Sequence, residues 1–118
     1  MKNYFIPAVI LFLVIFAFNS FSQTYIGTWA AKENIGSYNL HQGSGERMTT
    51  FSVKFPQPFE KTPEILLSVT QVDASSKTNV RYNVEVMHVD KNGLKIKIRT
   101  WADTQLYSIS GFWLAKLD

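Results

Sequence analysis

The chain has 118 residues, no cysteine and a formal net charge of +3, with twelve Lys and Arg against nine Asp and Glu. That length fits one domain and excludes two, and the absence of Cys excludes disulfide stapling. So small a charge, without a tight cluster of Lys and Arg, excludes a nucleic-acid partner.

Residues 1–22 read as a signal peptide. Lys2 gives the positive start, Phe5 to Phe18 gives the apolar run, and Ser20-Phe21-Ser22 places small residues before a cut. The run is 14 residues long and contains Pro7, short of the roughly 20 residues that span a bilayer. The expectation is a secreted, soluble protein beginning at Gln23, with no membrane partner after cleavage. With no thiol, lipid attachment to a cysteine at the cut is excluded.

From Gln23 the chain is rich in β-branched and aromatic residues, broken by Gly, Pro, Asn and Asp. No 3.6-residue apolar period persists for a helix's length, so residues 23–118 are expected to be one all-β domain. Tyr25 to Ala31 predicts a first strand, and Leu40 to Arg47, with Gly43 and Gly45, a loop. Phe51, Val53 and Phe55 alternate with polar neighbours, the mark of a strand with one buried face. Pro56, Pro58 and Pro63 predict an unpaired connection. Ile65 to Val72 is apolar at more than every second position, which fits a central strand covered on both faces or one that meets a partner subunit.

Residues 73–79 read as a loop. The next strand is expected to turn Val80, Tyr82, Val84 and Val86 inward and Arg81, Asn83 and Glu85 outward. Asp90-Lys91-Asn92-Gly93 is a hairpin signal. It leads into a strand from Gly93 to Trp101, with Leu94, Ile96, Ile98 and Thr100 on one face and Lys95, Lys97, Arg99 and Trp101 on the other. The lysine row reads first as a solvated sheet face. In the last strand, Tyr107 to Lys116, Trp113 reads as core.

Trp101 is the residue out of place. Its parity puts an indole among cations, where a large aromatic marks a binding surface. The hairpin makes the two strands antiparallel neighbours, so Arg81 and Trp101 are expected at the same end of the sheet.

Over residues 45–116 the segment FEKTPEILLSVTQVD, the triplet Asn79-Val80-Arg81, the motif TWADT at 100–104 with Tyr107 beyond it, and the closing Trp113-Leu114-Ala115 follow in order. That order and spacing resemble the H-type lectins, the galactose and N-acetylgalactosamine binders typified by snail agglutinin and the C-terminal domain of the discoidins. The resemblance implies a six-stranded antiparallel β-sandwich that assembles as a homotrimer, with glycans ending in galactose or N-acetylgalactosamine bound near protomer junctions. It implies site roles for Arg81, Trp101 and Tyr107. Some relatives carry a histidine directly after the tryptophan, where this chain has Ala102.

The chemistry suits such a ligand. An indole meets the C–H face of a galactose-type ring, and a guanidinium or carboxylate pairs with adjacent hydroxyls. Other readings stand beside each assignment. Arg81 could serve as a surface ion-pair partner of Glu85 or another surface acid, Trp101 as part of a protomer interface, and Tyr107 as core. Asp103 reads more as a turn former that caps backbone N–H groups than as a ligand, and Glu46 is the candidate acid of the loop 42–47.

His41 and His88 have no ligand-spaced neighbours in the sequence, and no run of acids has calcium-loop spacing. No cofactor or metal is therefore expected. A glycosidase would need two carboxylates converging to about 5 to 10 Å, and nothing in the pattern brings two together, so a binder rather than an enzyme is expected. The rival from another class is a structural or protein-binding β-sandwich.

Overall fold

The computed structural model describes residues 22–118. All but the last residue of the expected leader, 1–22, lies outside them. The described residues form seven strands: β1 (Gln23–Lys32), β2 (Arg47–Lys54), β3 (Glu64–Leu67), β4 (Gln71–Ala74), β5 (Asn83–Val89), β6 (Gly93–Thr100) and β7 (Leu106–Leu117). They make two antiparallel sheets. One runs β1-β7-β3, with β4 also on β7, and the other runs β2-β6-β5.

Alternation in the sequence becomes the core between these sheets. Ile96 and Ile98 of β6 are fully buried, and Leu94 is nearly so. From the other sheet come Ile109, Trp113 and Ala115 of β7 and Trp29 of β1. Aromatic contacts tie the layers together: Trp29 meets Phe51 at 6.0 Å between ring centroids, and Phe55 meets Trp113 at 5.8 Å. Trp113 is core, as its apolar run predicts. The proline-rich connection carries Phe59 at its middle, buried against Phe55 and Tyr25.

The Asp90–Gly93 hairpin forms as its residues require. Asp90 N–H donates to the Gly93 carbonyl, and the Asp90 carboxylate accepts from the amides of Asn92 at 2.8 Å and Gly93 at 3.1 Å. Those amides hold the Asp90 carboxyl below its ordinary value.

Four expectations need correction. The strand count is seven among the described residues rather than six, because the run from Ile65 to Val72 is broken at Ser68–Thr70 into β3 and β4. Nor is that run central: both pieces pair only with β7, and Leu66 is 66% exposed. Its outward apolar residues gave it the pattern of a doubly covered strand. The strand after the 73–79 loop begins at Asn83, so Val80 and Tyr82 are exposed instead of inward. Part of that expected loop, 73–74, instead belongs to β4.

Candidate functional site

The end of β6 assembles the site residues. Arg47 pairs with Thr100 across β2 and β6, and Asn83 pairs with Arg99 across β5 and β6. The β5–β6 register carried outward brings Arg81 towards Trp101, the juxtaposition expected from the hairpin. The ladder does not continue to them. Beyond Thr100 the chain makes a tight turn in which Thr104 N–H reaches the Trp101 carbonyl at 3.4 Å and Ala102 takes a left-handed φ of 58°.

The two threonines of TWADT take the ladder's place. Both are fully buried. Thr104 Oγ1 accepts from Arg81 N–H at 3.0 Å and donates to the Asn79 carbonyl at 2.7 Å, while the Thr100 hydroxyl donates to the Arg81 carbonyl. The triplet Asn79-Val80-Arg81 is thus fastened through its backbone to the residues flanking Trp101. Side-chain hydroxyls satisfy part-buried backbone groups that no strand partner reaches.

With its backbone fixed, Arg81 directs Nη1 to Asp103 Oδ1 at 3.0 Å, both side chains being well exposed. Arg81 therefore pairs with Asp103 and not with Glu85, whose partner is Lys97 at 2.8 Å. The Asp103 carboxylate meets a guanidinium in place of the backbone amides that a turn former would cap.

A second guanidinium–carboxylate pair reaches the indole itself. Trp101 is half-buried, and the Arg99 guanidinium sits 4.8 Å from its ring centre, a cation–π contact. Arg99 Nη1 in turn lies 3.4 Å from Glu46 Oε1. Two Arg–carboxylate pairs, Arg81–Asp103 and Arg99–Glu46, thus belong to the turn that carries Trp101 and the strand and loop beside it, and each offers donors and acceptors side by side. Hydroxyl groups, which both donate and accept, suit that pairing.

The Glu46 loop is joined to the same turn. Gly45 N–H donates to the Ala102 carbonyl at 2.9 Å, and Gly45 holds a φ of 79° that a side chain would resist. Tyr107 is half-buried on β7, just past Leu106, which takes the core position. The register shift at Asp73/Ala74 lies opposite and breaks the alternation there, which is why parity could not place Tyr107. Its carbonyl accepts from Glu33 N–H at 3.1 Å.

Sequence reasoning missed Thr104, Arg99 and Arg47. The signal for Thr104 was a threonine on each side of Trp101 within one short motif. For Arg99 it was the position two residues before Trp101, on the same strand face. His88, read as isolated, has Asp90 at 3.5 Å, though no group of three metal-ligating side chains occurs among the described residues. An open groove of about 350 Å³ lies at the hairpin end of β6, lined by Ser52, Lys54, His88, Asp90 and Lys95 among others. The Trp101 cluster sits at the opposite end of that strand.

A family model, H-type lectin domain, matches residues 50–116. The chain belongs to the H-type lectin family. The match takes in most of β2, all of β3 to β6, the TWADT turn and nearly all of β7. A protein of Fuscovulum blasticum described as ATP synthase subunits region ORF 7 is 33% identical over 73 residues, which are 62% of this lectin chain and 64% of that protein. Among solved structures, discoidin II of Dictyostelium discoideum superposes with a TM-score of 0.72 at 23% identity. That likeness covers 83% of this chain and 37% of discoidin II. A tailspike of Pseudomonas phage phi297 aligns at a TM-score of 0.53 and 16% identity, over 82% of this chain and 16% of its own. The structural likenesses establish the fold, and the chain spans less than two thirds of each relative.

Proposed function

We propose that the protein is a secreted lectin that binds glycans ending in galactose or N-acetylgalactosamine and works as a homotrimer without catalysis. The observation that carries this reading is the fastening of Arg81 to the Trp101 turn by Thr100 and Thr104. It supplies a guanidinium and an indole at one exposed end of the sandwich. In this reading Trp101 meets the sugar's C–H face, and Arg81 pairs with adjacent hydroxyls. Asp103 and Glu46 accept from further hydroxyls, and Tyr107 contributes a ring edge and a hydroxyl at the rim.

An exposed site of this kind binds one sugar weakly. Three sites on one rigid assembly raise avidity by about two to four orders of magnitude when glycan spacing matches. Multivalent capture or adhesion is then the working mechanism.

One observation favours a second reading, a protein-binding module. The outer face of the β1-β7-β3 sheet carries Ile26 at 67% exposure and Leu66 at 66%, aligned across the sheet through Leu114, with Phe112 at 48% beside them.

A glycan array with residues 23–118 and its Trp101→Ala variant separates the two, once light scattering has given each one's oligomeric state. The lectin reading expects binding confined to terminal galactose or N-acetylgalactosamine, lost in a variant whose assembly is intact. A folded wild-type oligomer that binds no glycan, or a variant that changes assembly alone, sinks that reading in favour of the protein-binding module.

A further inference from the structure

Arg47 makes hydrogen bonds to four backbone carbonyls drawn from two separate segments. Its Nε donates to Gly45 at 3.0 Å, Nη1 to Gln42 at 2.9 Å and to Leu40 at 3.4 Å, and Nη2 to Ala102 at 3.2 Å. Three of these carbonyls belong to the loop that precedes Glu46. The fourth belongs to the residue between Trp101 and Asp103. No acid is paired with Arg47 among the described residues, so its charge is balanced by carbonyl dipoles. At the first residue of β2 it is anchored by its ladder partner Thr100.

A guanidinium is suited to this task because it presents five N–H donors in a rigid plane. A lysine has a single ammonium centre and cannot address carbonyls on both sides at once. Apart from Arg47, the backbone bond from Gly45 to Ala102 ties the loop directly to the turn. The Leu40 carbonyl also accepts from Leu106 N–H at 2.9 Å, but the Gln42 and Gly45 carbonyls would otherwise take hydrogen bonds from water and leave the loop beyond Leu40 freer to move.

We infer that Arg47 is a positioning residue for ligand binding: it clamps loop 40–46 to the Trp101–Asp103 turn and so fixes Glu46 relative to Trp101. The inference rests on the proposed lectin site, and it assigns the preorganisation of that site to a residue that does not itself face the ligand. A site whose loop is fixed before binding loses less ordering entropy on taking up a sugar. Glu46 reaches Arg99, and through it the indole, only while the clamp holds the loop in place.

The test compares wild type, Arg47→Met and Arg47→Lys, as residues 23–118. Affinity for galactose and N-acetylgalactosamine is measured by calorimetry, and amide exchange by NMR. In Arg47→Met the Gly45 amide is expected to exchange at least about tenfold faster, while amides of the remote Asp90–Gly93 hairpin are unchanged. Sugar affinity is expected to fall about tenfold, in line with the sensitivity of positioned groups to displacements on the order of 1 Å. Arg47→Lys, which keeps the charge and one donor centre, is expected to fall between and serves in place of Arg47→Met if that variant does not fold.

Unchanged Gly45 exchange in a folded variant overturns the clamp. Faster exchange with undiminished affinity, in a protein whose wild type binds the sugar, overturns its role in binding. A wild type that binds neither sugar sinks the galactose-type reading instead, and Gly45 exchange still decides whether the clamp exists.

Discussion

Thr104 carries more of the site's geometry than its size suggests. One buried hydroxyl holds both Asn79 and Arg81, so its removal breaks two hydrogen bonds that fasten the triplet to the turn. Thr104→Val keeps the shape and loses the hydroxyl. It is expected to cost about 1 to 3 kcal/mol in denaturant unfolding, at about 0.5 to 1.5 kcal/mol for each of the two hydrogen bonds lost. Thr104→Ser, which restores the hydroxyl, should recover most of that loss, and equal behaviour of the two variants would count against the hydrogen bonds. At this scale the sequence showed Trp101 plainly, because strand parity is a local property. It left the partner of Arg81 open between Glu85 and other acids, since an ion pair depends on side chains brought together by the turn.

At the scale of elements, the break between β3 and β4 is set by a residue on the neighbouring strand. Gly111 of β7 is buried, and a Cβ placed there would lie 1.7 Å from the Ser68 carbonyl oxygen. The edge chain can cross so closely only over a residue without a side chain. It stays attached there by Ser68 N–H to Phe112 and Thr70 N–H to Ser110, each at 2.9 Å. Gly111→Ala is expected to push this segment off β7 and lower stability by about 2 kcal/mol, as overpacking does. Faster amide exchange at Ser68 and Thr70 should accompany it, and an unchanged denaturation midpoint would refute the account. The sequence run from Ile65 to Val72 could not reveal the break, because its cause lies some forty residues away. The β5–β6 hairpin was legible by contrast, because Asp90 and Gly93 build it from neighbours.

Across the whole molecule, stability should respond to pH at both ends of the range. Burial pushes the Tyr38 hydroxyl well above its ordinary value, with Glu33 nearby adding to the effect, and the hydroxyl donates to the Leu106 carbonyl. The folded state therefore holds this proton more tightly than the unfolded chain. Its contribution is full below about pH 10, the free tyrosine range, and declines as pH rises above it. At the other end, the hydrogen bond and charge of Lys97 hold the Glu85 carboxyl below its ordinary value. That contribution is present above the ordinary carboxylate range and fades as pH falls through it. Thermal melts from pH 3 to 11 should show a plateau between these limits, and Tyr38→Phe should soften the alkaline decline. An identical alkaline limb in that variant would rule out Tyr38 as its source. By itself the sequence determined the all-β class, the hairpin, the parity of Trp101 and the family resemblance in order and spacing, because each follows from neighbours within a few residues. Only the tertiary structure decided the split edge strand, the pairing of Arg81 with Asp103, the Glu46–Arg99–Trp101 stack and the grip of Arg47 on two segments. The deciding contacts among these, Arg81 to Asp103, Glu46 to Arg99 and Arg47 to Ala102, join residues some twenty to fifty-five positions apart, and no local period encodes which of them meet.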